Sequence, residues 1–552
     1  MYSPAADTGV TVVEKDAALS SAYSPVDYMS ITSFPRLPED EVSADNILKS
    51  RKDNDNFLSE QDTDPDLFLK TARLQQLPSS ASDLASQDIS PLRETSRDPL
   101  AQDCACTRDG LTVIITACLT FATGVTVALI MQIYFGDPQV YNQGAVVTDV
   151  ARCTSLGFDV LGKQGSSVDA AIAASLCLGI IHPHTSGIGG GGVMLVHDIR
   201  RNESRVIDFR ETAPSGIHEN LMLHSGLLVA VPGMISGLHQ AHQLYGRYKH
   251  IIILISLCFC GQVQAKEGVL TEDDFKNYTT VIQKPLQSLY QGYRVLVPPP
   301  PHAGAALLSA LNILEGFNIT NQVSRSSVYH WIAESLKIAL SQASGLGDSV
   351  FNSSVSELVT QMLSKDKAAV FRQMISDSQA YAAEHYTPSY ELQEGAVASQ
   401  LMIMGTDDLI VSVMSSLNRP FGSRIVTPSG ILLNSQMLDF SWPNKPHSSA
   451  AVNLHNSIEP GKRPASFLTP IVVRPSMGQC GSYVALGSSN GERALSGITQ
   501  VLINVLSSRN NMSDSVSYGR LHPLIQNNTL LVDCKLSIVY RSLLWISFQS
   551  FL

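Results

Sequence analysis

Apolar and polar positions divide the chain into three regimes. Residues 1–108 are rich in Ser, Asp, Pro and Glu and hold no sustained apolar period. Such a segment buries too little apolar surface to offset chain entropy, so a disordered tail is predicted. Residues 111–135, LTVIITACLTFATGVTVALIMQIYF, carry no charge. At 1.5 Å per residue this run exceeds the ~30 Å hydrocarbon core of a bilayer, so a transmembrane helix is predicted over residues 109–135. From residue 136 onward the pattern becomes globular and mixes helix and strand periods. Residues 167–181 read as a buried helix with Asp169 in its first turn. Residues 182–192 form a turn-rich loop ending in four glycines before a strand at 193–197. Alternation predicts a further strand at 205–210, and a strand at 293–301 running into four prolines, with His302 as a loop residue beyond. Amphipathic helices are expected at 305–317 and 328–343, a looser linker at 348–390, and strands at 401–404 and 409–414.

Charge and cysteine content refine this outline. The 552 residues suffice for several domains, 44% are hydrophobic, and the formal net charge is −11. A basic face for nucleic acid is not expected from that balance. Nine cysteines are too few and scattered for a disulfide framework, and no Cys/His spacing suggests a metal or cofactor. Arg93, Arg97 and Arg108 precede the apolar run, whereas residues 136–151 contain no Lys or Arg. The positive-inside rule then places the tail in the cytoplasm and the bulk outside or in a lumen, a single-pass type II arrangement. Glycosylation sequons agree. None precedes the run, and Asn202, Asn277, Asn318, Asn352, Asn511 and Asn527 follow it. The N-terminus has no signal-peptide layout. Cys104 and Cys106 are candidate palmitoylation sites, and Ser24 and Ser90, each before a proline, are candidate phosphorylation sites.

The most informative block is residues 415–439, SSLNRPFGSRIVTPSGILLNSQMLD, polar, turn-rich and flanked by strands. With PGKRP at 460–464, GIGGGG at 187–192, DFRETAP at 208–214 and VAVPG at 229–233, it resembles the γ-glutamyltransferases, also called glutathione hydrolases. The resemblance covers residues 144–533. It implies an α+β fold of the N-terminal-nucleophile hydrolase type, a four-layer αββα sandwich with two central antiparallel sheets. Residues 136–397 would form the part resembling the large subunit, and residues 398–552 the part resembling the small one. Two departures stand out. Residues 248–267 replace a long helical stretch of the family, which resumes at GVLTEDDF (268–275), and the chain diverges after Asp533.

The resemblance also implies a chemistry. In this family the precursor cleaves itself. The new N-terminal Thr then attacks the γ-glutamyl amide, its own α-amine acting as base, and two adjacent backbone N–H groups stabilise the oxyanion. Counting back from Asn418, the Thr position is Ala398, which has no hydroxyl. Ser399 is the neighbouring candidate nucleophile, but a one-residue shift along a strand turns a side chain to the opposite face; Thr406 falls in a turn. The remaining substrate-binding positions are Arg210 and Ser466 for the α-carboxylate, Ser416, Asn418, Gln436 and Asp439 for the α-amino end, and Asn490 with Gly491 as the oxyanion pair. Gln436 stands where the family has a carboxylate, Phe467 where it has a second serine, and Asn490 where it has a glycine. Two function classes follow. One is a membrane-anchored enzyme acting on glutathione and related γ-glutamyl compounds, a large/small heterodimer once self-cleaved. The other is a catalytically silent homologue that binds without turnover.

Overall fold

The computed structural model describes residues 110–135, 144–217, 224–247, 259–320, 322–388, 390–392, 395–442, 451–476, 481–526 and 528–536. The disordered-tail expectation, Ser24, Ser90, Cys104, Cys106, Asn527, most of the break and the divergent end lie outside them. The chain divides into two units, one spanning Arg36–Gln139 and the other including Val140–Leu552.

The first unit contains helix α1 (Gly110–Phe135). Its stretch Thr112–Met131 is long and apolar enough to cross a membrane. Thr116, Thr120, Thr123 and Thr126 return their hydroxyls to the carbonyl four residues earlier, at 2.8–2.9 Å. The helix thus satisfies its own polar groups, as a hydrocarbon solvent demands.

The second unit runs β1 (Ala145–Thr148), α2 (Ala151–Gly162), α3 (Ser167–Ile181), β2 (Gly191–Asp198), β3 (Glu203–Phe209), α4 (Met234–Tyr245), α5 (Phe259–Gln264), α6 (Glu272–Asn277), β4 (Val281–Gln283), β5 (Leu286–Tyr290) and β6 (Tyr293–Val297). It continues with α7 (Gly304–Glu315), α8 (Arg325–Ser344), α9 (Ser353–Leu363), α10 (Lys365–Met374), β7 (Val397–Met404), β8 (Leu409–Asn418), β9 (Ile471–Pro475), β10 (Val484–Leu486), α11 (Glu492–Leu502), α12 (Met512–Ser517), β11 (Leu521–Leu524) and β12 (Thr529–Val532). One sheet has the order β1-β7-β8-β2-β3-β4, the other β10-β9-β6-β5, and the pairs are antiparallel.

Period-two alternation sorts the side chains into four layers. Val193, Leu195, Ala398, Met402, Ile410 and Met414 of the first sheet meet Leu296, Val472 and Ala485 of the second. On the outer face of the first sheet, Met194, Val196, Leu401 and Val411 pack under α2, α3 and α4. On the outer face of the second, Val295, Val297, Ile471 and Val473 pack under α7 and α11. This is the αββα sandwich.

Local sequence explains the key joints. Ser166 and Asp169 close a capping box that starts α3. The glycine run feeds β2 between two strands. A Cβ on Gly192 would stand 2.2 Å from the Met414 carbonyl, and one on Gly190 2.3 Å from that of Ser416, so only glycine permits this approach. Two expectations are corrected. Residues 348–390 form α9 and α10 rather than a loose linker, because Val355, Val359 and Met362 recur at helical spacing and pack on the core. Although the cysteines read as too few and scattered for a framework, Cys153 and Cys177 pair, joining α2 to α3.

Candidate active site

The cleft opens at one end of the sandwich, where β7 starts and β2 starts while β3 and β8 end. Arg210 follows β3 directly, and its side chain is only 2% exposed. Its Nη2 pairs with Asp439 and donates to the Ala465 carbonyl at 3.3 Å. Its Nη1 lies 3.5 Å from Glu211, and Nε donates to the Pro464 carbonyl at 3.4 Å. The PGKRP turn therefore supplies carbonyls to the guanidinium. The Tyr278 hydroxyl fixes the Arg210 carbonyl at 2.9 Å.

Asp439 ends a single 3-10 turn, Gln436–Asp439. Its Oδ1 accepts from Asn418 Nδ2 at 2.9 Å, and that Nδ2 also donates to the Ser435 carbonyl at 3.0 Å. Asn418 has φ of 72°, a left-handed geometry that asparagine tolerates better than most residues. Ser416 Oγ donates to the Val397 carbonyl at 2.6 Å and accepts from the Asn418 N–H at 2.7 Å. It thereby clamps the start of β7 to the end of β8. Ser466 lines the same cleft, its Oγ accepting from the Leu468 N–H at 3.0 Å.

Ala398 is 5% exposed and lines the cleft with Arg210, Ser416, Asp439, Ser466 and Gly491. Its N–H already donates to the Ser489 carbonyl at 3.1 Å. Ser399 points to the other face of β7, where its Oγ lies 2.6 Å from Thr185 Oγ1 and 1% of the residue is exposed. Thr406 sits in an exposed turn. Two placements differ from the sequence reading. Gln436 does not line the cleft; it is buried, and its Nε2 donates to the Ser416 carbonyl at 3.2 Å. Asn490 also stays off the wall, and the positive φ, 52°, falls on Gly491, which bears it without strain. His302 lies, as expected, in the loop between β6 and α7, where it is fully buried 3.4 Å from Asp208.

The charges here are strongly desolvated. Burial pushes Glu211 up to about 8, opposed by Arg210. Burial also acts to raise Asp208, but His302 and Arg463 outweigh it and hold the carboxyl below its ordinary value. The cleft encloses about 780 Å³ of space, the open solvent at its mouth included. Sequence reading missed Ser488 and Ser489 on its wall. The signal was the small-residue run before the amphipathic period of α11, which marks a turn feeding a helix start.

A profile of the family described as Gamma-glutamyltranspeptidase matches residues 153–254 and 255–544. The chain belongs to this family. The match comes in two pieces that meet inside residues 248–267 and extends past Asp533. As the motifs suggested, the chain is similar to human Glutathione hydrolase 7, 54% identical and covering 94% of this chain and 91% of that protein. That alignment runs over 606 positions, more than the 552 residues present here, so the relative contains segments that this chain lacks. Rat Glutathione hydrolase 5 proenzyme is 27% identical over 70% of this chain and 82% of its own length. Among solved structures, the cephalosporin acylase from Bacillus halodurans matches with a TM-score of 0.61 and 20% identity, covering 75% of this chain and 92% of that one. This likeness concerns the fold, that of the N-terminal-nucleophile hydrolases.

Proposed function

We propose that this chain is a membrane-anchored glutathione-hydrolase-type protein whose cleft recognises the α-amino acid end of glutathione and other γ-glutamyl compounds without turning them over. One observation carries the reading: Arg210, Ser466 and Asp439, the last held by Asn418, surround a cleft whose nucleophile position is the methyl of Ala398. The Arg210–Asp439 pair offers a cation and an anion side by side, the complement of a zwitterion. A ligand's α-carboxylate takes the Arg210 fork, which suits two carboxylate oxygens, and its ammonium takes Asp439, leaving the total charge unchanged. The Gly491 end of the wall opens α11, where backbone N–H groups favour a developing negative charge. With a methyl in place of the hydroxyl, no acyl-enzyme forms.

The anchor is α1, with the N-terminal tail in the cytoplasm and residues 136–552 extracellular or lumenal. The arginine bias of residues 93–108 supports this, as do the sequons and the Cys153–Cys177 pair, a bond favoured in oxidising compartments.

A catalytic reading is favoured by the similarity to proteins named Glutathione hydrolase along most of the chain. In it the chain cleaves glutathione and passes the γ-glutamyl group to water, amino acids or peptides. It requires a split before Ala398 or Ser399 and a heterodimer of the two pieces. Calorimetric titration of the full chain with glutathione, paired with an assay for γ-glutamyl anilide turnover, separates the two. Saturable binding without turnover supports recognition alone. Turnover by an Arg210-dependent site favours the enzyme, and absence of binding removes both.

A further inference from the structure

The sandwich end remote from the cleft holds two cations that face each other. β6 and β9 are antiparallel neighbours, and their register sets Arg294 directly across from Arg474. Strand parity fixes where both project. Val295, Val297, Ile471 and Val473 point outward under the helices, whereas Leu296 and Val472 point toward the first sheet. Arg294 and Arg474 share the parity of Leu296 and Val472 and so project between the sheets, each half-buried. From the facing sheet, β2 directs His197 to the same face as Val193 and Leu195. The His197 ring is fully buried and stacks on Tyr483 with centroids 5.8 Å apart.

Like charges directly opposite on an antiparallel pair destabilise a sheet. Among the described residues neither arginine has an acidic partner. Arg474 Nη1 donates to the Pro475 carbonyl at 3.4 Å, and the Nε atoms of both arginines are buried with no hydrogen-bond partner. His197 Nδ1 lies 2.9 Å from Ser204 Oγ, while its Nε2 is buried and unpartnered. The nearby Asp198 is already engaged by Arg201 at 3.8 Å. Burial first, and Arg294 second, hold Arg474 below its ordinary value.

We infer that Arg294 and Arg474, flanked by His197 and Tyr483, form a second site that binds a tetrahedral oxyanion of the phosphate or sulfate class. Two guanidinium forks across one strand pair match a dianion with oxygens on two sides, whereas a carboxylate satisfies one fork only. Two sources share this chemistry. Free phosphate is one. A phospholipid headgroup, which carries the same phosphate chemistry, is the other.

The test uses the full chain, in detergent and in nanodiscs. Inorganic phosphate should raise the melting temperature of the wild type in detergent in a concentration-dependent way. In the double variant Arg294→Gln/Arg474→Gln its Kd should rise about tenfold or more. The double variant should unfold at a higher temperature than wild type when no anion is present, since the opposed charges are gone. In nanodiscs of anionic phospholipid, stabilisation of the wild type over the variant without added phosphate assigns the headgroup; stabilisation only after adding phosphate assigns the free anion. Arg474→Lys, which keeps the charge and loses the fork, should bind phosphate with intermediate affinity. Equal phosphate response of wild type and double variant in both settings overturns the inference.

Discussion

In the proposed reading, a single methyl decides what the cleft does. Ala398 faces Arg210 and Asp439, while the adjacent Ser399 is turned toward Thr185. The hydroxyl of the neighbouring strand residue is thus turned from the cleft by strand parity rather than by distance along the chain. Replacing Ala398 with Thr restores a hydroxyl at the cleft. The expected outcome is a chain split before residue 398, seen as two fragments on a denaturing gel. The binding half of the site rests on Arg210. Arg210→Gln leaves Asp439 and Glu211 buried without their cation. Calorimetry should show the affinity for γ-glutamyl ligands reduced by about 2–5 kcal/mol, and thermal unfolding should show a stability loss of about 3–5 kcal/mol.

The joint between β1 and β7 adds a pH-dependent element. Asp149 follows β1, and its Oδ2 accepts the Gln400 N–H at 2.9 Å. Burial pushes this carboxyl from its ordinary 3.8 up to about 7, opposed by hydrogen bonds from Gln400 and Ser399. Between those values the folded state binds more protons than the unfolded one, so stability falls as pH rises from about 4 to about 7 and levels off above. Its contribution to the slope is at most about 1.4 kcal/mol per pH unit. Denaturant titrations across this range should show that part of the fall in wild type and its loss in Asp149→Asn. At this scale much was legible in advance. The α3 boundaries follow from its capping residues and apolar run, and the cores of β7 and β8 from the apolar runs at 401–404 and 409–414. What escaped depended on tertiary placement. α9 and α10 lie in a polar stretch whose apolar stripe shows only once a core receives it. Gln436 and Asn490 occupy aligned positions, but the turn at Gln436–Asp439 and the start of α11 leave them off the cleft wall. The Cys153–Cys177 pair is invisible until two helices pack side by side.

At the scale of the whole molecule, the chain carries one long apolar helix, proposed as an anchor, and a sandwich with a cleft among its described residues. Asn202, Asn277, Asn318 and Asn511 are exposed and Asn352 is half-buried. At Asn352 and Asn511 the side-chain Oδ1 caps a helix, which leaves Nδ2 for a glycan. Protein from a eukaryotic secretory host should shift to lower mass after enzymatic removal of N-glycans, and the tail should remain protease-accessible only from the cytoplasmic side. An unshifted mass would contradict the proposed topology. The central claim, recognition without a nucleophile, meets its most direct test in a mass spectrum of the purified full chain after incubation with glutathione. The account predicts one uncleaved chain with no γ-glutamyl adduct. Fragments ending at Val397 or Ala398, or a γ-glutamyl adduct anywhere in residues 397–406, would contradict it.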